Sequence, residues 1–184
     1  MREIAGRISR RAKRRIHHLP SRQSIFEKID IQKQIDEAFS RQVWLKCGGY
    51  LVIDETEAMI TVDVNTGRNK GSKNVDKMLL ETNMESAEEV ARQLRLRNIG
   101  GLVVVDFIDM RHRRDQQAVY RAMKERLKRD KAKTQVLQIS SIGLMEMTRQ
   151  RLNESLRDSL LEPCPYCQGR GRVKTQMTMS VAVS

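Results

Sequence analysis

The sequence predicts an α/β fold with a mixed sheet, an antiparallel meander followed by alternating helices and strands, and three observations point to it. In Met59-Ile60-Thr61-Val62-Asp63-Val64-Asn65 the apolar residues fall on alternate positions, the period at which strand side chains face opposite sides. Leu102-Val103-Val104-Val105 is an unbroken apolar run closed by Asp106, which reads as a strand buried on both faces. After the meander, stretches with helical spacing alternate with short strands, the succession of a layered α/β domain.

The totals fit one domain with appendages. Of 184 residues, 39% are hydrophobic and 32% charged, so the core is modest and the surface strongly charged. A net charge of +12 and a pI near 10.1 favour a polyanionic partner. RNA or DNA ranks ahead of an acidic membrane surface, because no amphipathic stretch carries a bulky apolar face. No apolar run approaches the ~18 residues of a membrane span, and no apolar segment follows the basic N-terminus as in a secretory signal. Two of the three cysteines lie in Cys164-Pro165-Tyr166-Cys167, which suggests metal ligands in a cytoplasmic protein rather than a disulfide framework.

Residues 1–23 form a basic N-terminal arm. Eight Arg or Lys stand against Glu3 within residues 1–22, fitting an arm that neutralises phosphates or a solvated, partly helical extension. An Arg-rich transit peptide is a further reading. The α/β domain is expected over 24–160. From Ile25 a helix is marked by Ile31, Ile35, Ala38 and Phe39, one apolar stripe. Val43–Leu45, Leu51–Asp54 and the Asp63 strand form the meander, with Gly48-Gly49 as a turn. Residues 66–76 (TGRNKGSKNVD) make a loop whose Arg68, Lys70 and Lys73 follow directly on Asp63 and Asn65 and are placed to touch phosphate. The glycine spacing is not that of a Walker loop.

A helix is expected to start near Thr82, where Thr82 and Glu85 have capping-box spacing, with a core face of Met84, Ala87, Val90, Ala91 and Leu94. Gly100-Gly101 stops it before the Asp106 strand. The next helix spans about Asp115–Arg129, followed by a short strand at Val136–Ile139. A last helix is expected over Leu144–Leu161, whose Arg149 and Arg151 join Arg68 and Lys70 as expected RNA contacts. The segment 161–174 is a compact CxxC knuckle, and residues 175–184 are uncharged and aperiodic, as expected of a frayed tail.

Two carboxylates at the ends of neighbouring strands, Asp63 and Asp106, can hold a hard divalent cation such as Mg²⁺, which keeps several waters and is completed by substrate phosphates. Such an ion lowers the pKa of a bound water and neutralises charge on a scissile phosphate. Asn65 shares the face of Asp63 and could hydrogen-bond a phosphate oxygen or the attacking water. Asp109 is an alternative ligand or a cap of the next turn. Acids at strand ends are also common structural features. Structural zinc wants four ligands, of which Cys164 and Cys167 supply two. Cys47 with a histidine, or a CxxC from a second chain, would complete the site, and the second chain is the better fit. A redox CxxC normally lies where a strand leads into a helix, whereas glycines follow here.

The segments IDETEAMITVDVNTGRNKG, ETNMESAEEVARQLRLRNIGGLVVVDFIDM, ISSIGLMEMTRQR and CPYCQGRGRVK together resemble the catalytic region of the ribonuclease E/G family, in order from about Ser24 to Lys174. The resemblance implies that Asp63 and Asp106 are magnesium ligands, that Asn65 orients a phosphate, and that Cys164 and Cys167 form a zinc link shared by two protomers. It implies hydrolysis of single-stranded RNA to 5′-phosphate and 3′-hydroxyl ends, in rRNA processing and mRNA decay. A DNase I-like catalytic subdomain beside an RNase H-like one is the implied architecture. Family members carry an S1 RNA-binding domain and a 5′-monophosphate pocket ahead of this region, and residues 1–23 resemble neither. Gln116-Gln117 is neutral where basic residues are expected. These departures leave a catalytically idle RNA-binding or assembly module, a fragment of the longer enzyme, as the alternative.

Overall fold

The computed structural model describes residues 2–15, 26, 30–68, 75–167, 169 and 171. Lys70 and Lys73, and the tail 175–184, lie outside them. The chain divides into two units, Met1–Ala38 and Phe39–Ser184. In the first, the arm is helical in two short pieces, α1 (Arg2–Ile8) and α2 (Arg10–Arg15), which lie against each other. Helix α3 spans Ile31–Phe39 and carries the expected stripe.

The second unit is built on a six-stranded mixed sheet. Its strands are β1 (Gln42–Trp44), β2 (Tyr50–Glu55), β3 (Ile60–Asn65), β4 (Gly101–Asp106), β5 (Thr134–Val136) and β6 (Leu144–Arg149), in the order β1-β2-β3-β4-β6-β5. Only β3 and β4 run parallel. The 22-residue helix α4 (Val75–Leu96) connects them, because a parallel pair needs a crossover. Helix α5 (Arg113–Leu127) follows β4, and α6 (Leu156–Leu160) is a single short turn.

One face of the sheet makes the core. Leu51, Ile53, Ile60, Val62, Val64, Val103, Val105, Met145 and Met147 alternate inward and meet Ala87, Val90, Ala91 and Leu94 of α4 and Val119, Met123 and Leu127 of α5. Full burial of each large side chain contributes about 1.5–3 kcal/mol. On the other face the described residues of β4 are more exposed. Leu102 is accordingly 40% exposed and Val104 half-buried, so β4 is buried on one face and not on both as its apolar run suggested.

Four other expectations are corrected. Residues 144–149 form strand β6 and not the start of a helix: Met145, Met147 and Arg149 are buried while Glu146 and Thr148 are exposed, a period of two. Only Leu156–Leu160 is helical beyond it, capped by the Ser155 hydroxyl, which accepts from the Asp158 amide at 3.1 Å. Helix α4 begins at Val75 and not near Thr82. The fully buried Thr82 donates its hydroxyl to the Met78 carbonyl one turn earlier, and Glu85 reaches out of the helix altogether. The residue that ends α4 is Asn98, in the left-handed region at φ +52, a conformation asparagine tolerates, rather than the glycine pair. Strand β5 also lies two residues earlier than expected.

Candidate active site

Strands β3 and β4 end together. Their parallel register pairs Asp63 with Asp106, so the two Cα atoms lie one strand spacing apart, about 4.8 Å. Both side chains are exposed on the open face. Asn65, two residues on and facing the same way, donates its side-chain amide to Asp63 Oδ2 at 2.8 Å. That uses one of the two Nδ2 hydrogens, so the other and the carbonyl oxygen remain as a donor and an acceptor.

The negative charge here is concentrated. The Asp106 carboxyl is pushed above the usual aspartate range, first by partial burial and then by the charges of Asp63 and Asp109. Asp109 lies in the turn after β4, and the backbone between the two acids is clamped from α4. Asn83, fully buried, donates to the Ile108 carbonyl at 2.8 Å and accepts the Ile108 amide at 3.1 Å. Gln116 adds a bond to the Met110 carbonyl at 3.2 Å. The acids are thus presented by backbone fixed from the core side.

The β3 end is fixed against the β1–β2 turn. The Arg68 amide donates to the Gly48 carbonyl at 3.0 Å. A Cβ at Gly49 would come within 2.8 Å of the Asn65 carbonyl oxygen, and one at Gly67, at φ +57, would come closer still to the Gly48 carbonyl oxygen. These positions therefore admit only glycine without rearrangement. Glu85 of α4 holds the turn, its carboxylate accepting from the amides of Lys46 at 2.6 Å and Cys47 at 3.0 Å. Burial pushes this carboxyl up, but the hydrogen bonds from Cys47 and Lys46 outweigh it and hold it below the usual glutamate range.

The other expected residues are placed differently. Arg68 is exposed beside the site, its guanidinium 5.9 Å from the Trp44 ring centre. Arg149 and Arg151 lie at the opposite end of the sheet, because β6 runs antiparallel to β4 and pairs Arg149 with Gly101 while Leu144 pairs with Asp106. A strand of this length puts them about 17 Å from the acids. Arg149 is also engaged: it pairs with Asp130 at 2.7 and 3.2 Å and donates to the Ile99 carbonyl at 2.6 Å. Its side chain is buried among these partners. Arg151 is exposed and donates to the Gly100 carbonyl at 3.1 Å, lining a cleft of about 640 Å³ at this far end that includes none of Asp63, Asn65 or Asp106.

Cys164 is exposed and Cys167 half-buried in one tight turn. The Cys164 thiol is held below the usual cysteine range by the Cys167 amide first, then by the Tyr166 amide and the Cys167 thiol. Cys47 is half-buried with its sulfur 3.9 Å from the Thr82 hydroxyl, and burial pushes its thiol up. Among the described residues no group of three or more His, Cys, Asp or Glu side chains forms a metal cage, and no helix is long and apolar enough to cross a membrane.

The description "Ribonuclease E/G family" matches residues 1–152. Ribonuclease G of Escherichia coli K12 is 46% identical over 165 residues, 90% of this chain and 34% of the relative. The chain belongs to the ribonuclease E/G family. Ribonuclease E of Haemophilus influenzae is 44% identical over 159 residues, covering 86% of the chain and 17% of that protein. The chain thus spans about a third of the length of its ribonuclease G relative and less of ribonuclease E. The family match begins upstream of Ser24, where the resemblance was expected to start, and takes in the basic arm.

Sequence reasoning missed Asn83, Glu85 and the two close-approach glycines as supports of this candidate site. Asn83 did leave a signal. It is a poor helix former inside a helix, four positions before Ala87 and seven before Val90 on the core face, where an amide stays only if it finds partners.

Proposed function

We propose that this chain carries the catalytic centre of a Mg²⁺-dependent endoribonuclease, which hydrolyses single-stranded RNA to 5′-phosphate and 3′-hydroxyl ends. The observation that carries the reading is the in-register pair Asp63 and Asp106 with Asn65 bonded to Asp63. Their donor set suits magnesium: Asp106 is raised first by burial and then by the charges of Asp63 and Asp109, and a divalent cation would offset both. Asp63 and Asp106 would hold the ion, with waters and phosphate oxygens completing its shell. When bound, the ion supplies a water of lowered pKa and neutralises charge on the phosphate.

The rest follows from the chain's own atoms. Asn65, held by Asp63, offers its second Nδ2 hydrogen to a phosphate oxygen or its carbonyl oxygen to the attacking water. Arg68 brings a cation beside the same edge. Among the described residues both acids are exposed on the sheet surface, which suits an extended strand as substrate. By the family relationship, the proposed roles are rRNA processing and mRNA decay in the cytoplasm.

Cys164 and Cys167 supply two zinc ligands, and the lowered Cys164 thiol suits thiolate binding. With Cys47 turned to Thr82, a CxxC from a second copy completes the tetrahedron, making a zinc-linked dimer. The second reading, RNA binding without hydrolysis, draws on the net charge of +12. Purified chain, with Mg²⁺ or with EDTA, should be offered a labelled single-stranded oligoribonucleotide beside the Asp63→Asn, Asp106→Asn double variant. Mg²⁺-dependent cleavage by the wild type alone is expected. Equal cleavage by the double variant overturns the assignment, and salt-sensitive binding without cleavage leaves the second reading.

A further inference from the structure

The open face beside the acids carries an aromatic surface that the hydrolytic centre does not use. Trp44 pairs with Tyr50 across β1 and β2, and Tyr50 pairs with Asn65 across β2 and β3, so all three side chains share the face of Asp63. The Trp44 and Tyr50 ring centres are 5.2 Å apart at a tilt of 56°. The Arg68 guanidinium stands 5.9 Å from the Trp44 ring centre, its backbone anchored to Gly48. Trp44 is 57% exposed. Two strand spacings, about 10 Å, separate its Cα from that of Asn65, within reach of a nucleotide adjoining the scissile phosphate.

An isolated exposed apolar residue calls for no explanation. Trp44 is not isolated: it is one member of an aromatic pair with a cation over it, continuous with an anionic metal site. That combination of π surface and guanidinium is how proteins grip single-stranded nucleic acid without reading its sequence. We infer that Trp44, Tyr50 and Arg68 form a base-stacking subsite for an unpaired nucleobase of the RNA flanking the cleaved bond. The inference rests on the ribonuclease reading and deepens it by naming where the substrate strand lies.

Trp44 is the sole tryptophan of the chain, so the full-length protein reports on its own subsite. A labelled single-stranded oligoribonucleotide is titrated in EDTA, with anisotropy of the label reporting binding and protein fluorescence reporting Trp44. Saturable quenching that tracks anisotropy is expected. Trp44→Ala should weaken binding roughly 5- to 150-fold, the range for losing one stacked base, while Trp44→Phe keeps most of it. An oligonucleotide carrying an abasic residue at the contacted position should bind wild type as weakly as the intact one binds Trp44→Ala. Binding by anisotropy without a fluorescence change, or an abasic penalty that persists in Trp44→Ala, overturns the stacking subsite alone. No binding at all overturns both the subsite and the ribonuclease reading.

Discussion

Replacing Arg149 by alanine separates a structural role from an RNA-binding one. Arg149 and Asp130 are 3% and 4% exposed and joined by two hydrogen bonds, and a third goes from Arg149 to the Ile99 carbonyl. The substitution leaves a buried carboxylate with only the Ala132 amide at 3.0 Å as a local donor. Breaking one partner of such a pair costs about 3–5 kcal/mol, a large part of the ~5–15 kcal/mol available to a domain. Urea unfolding at pH 7.5 is the assay, and pH supplies an internal control. In the wild type, burial pushes Asp130 up but the hydrogen bond from Arg149 leads the interactions that outweigh it, so its carboxyl lies below the usual range. That stability is present above the unfolded carboxylate pKa and is lost as pH falls through the lower folded value. Without Arg149, burial prevails and the sign reverses: ionising Asp130 costs stability, so the deficit is largest at neutral pH and shrinks toward pH ~4. A loss below about 0.5 kcal/mol, coupled to a tenfold drop in RNA affinity, would refute the structural assignment.

Asn83→Ala removes both bonds to Ile108 and leaves a half-buried amide and carbonyl without that partner, for a loss of about 1–3 kcal/mol in urea unfolding. Cleavage by the folded fraction should fall in kcat more than in KM, and unchanged stability would remove Asn83 as the clamp. Asp106→Asn should abolish Mg²⁺-dependent cleavage yet slightly stabilise the fold at neutral pH. A folded carboxyl above its usual range makes ionisation costly, so the gain is present at pH 7.5 and vanishes below pH ~4. Because the side chain is exposed, about 0.5 kcal/mol or less is expected, and a variant less stable than wild type at pH 7.5 would contradict the cost of ionising Asp106 by burial and neighbouring charge.

What was legible in the sequence follows the strength of its periodicity. The alternation in β3 and the apolar run of β4 located Asp63, Asn65 and Asp106 at strand ends, and the parallel register then joined them. The same run misled about the second face, since apolarity marks tolerance of burial and not what covers a strand. Residues 144–149 read as helix because Leu, Met, Glu and Arg are good helix formers. Tertiary burial of Met145 and Met147 at a spacing of two overrode that preference. Charge was the least legible property. Arg149 and Arg68 look alike in a basic sequence, and only the antiparallel return of β6 shows one as a buried strut and the other as a surface cation.

The lone parallel pair also bears on how the site comes into being. Asp63 and Asp106 meet only after the intervening chain, with the whole of α4, has been closed between them, and such non-local pairing forms slowly relative to local hairpins. A slip of one residue between β3 and β4 would turn an acid toward the core and an apolar side chain outward. The pairing of the two acids is therefore a property of the finished sheet, and a chain in which β3 and β4 have not yet paired in this register does not hold Asp63 beside Asp106.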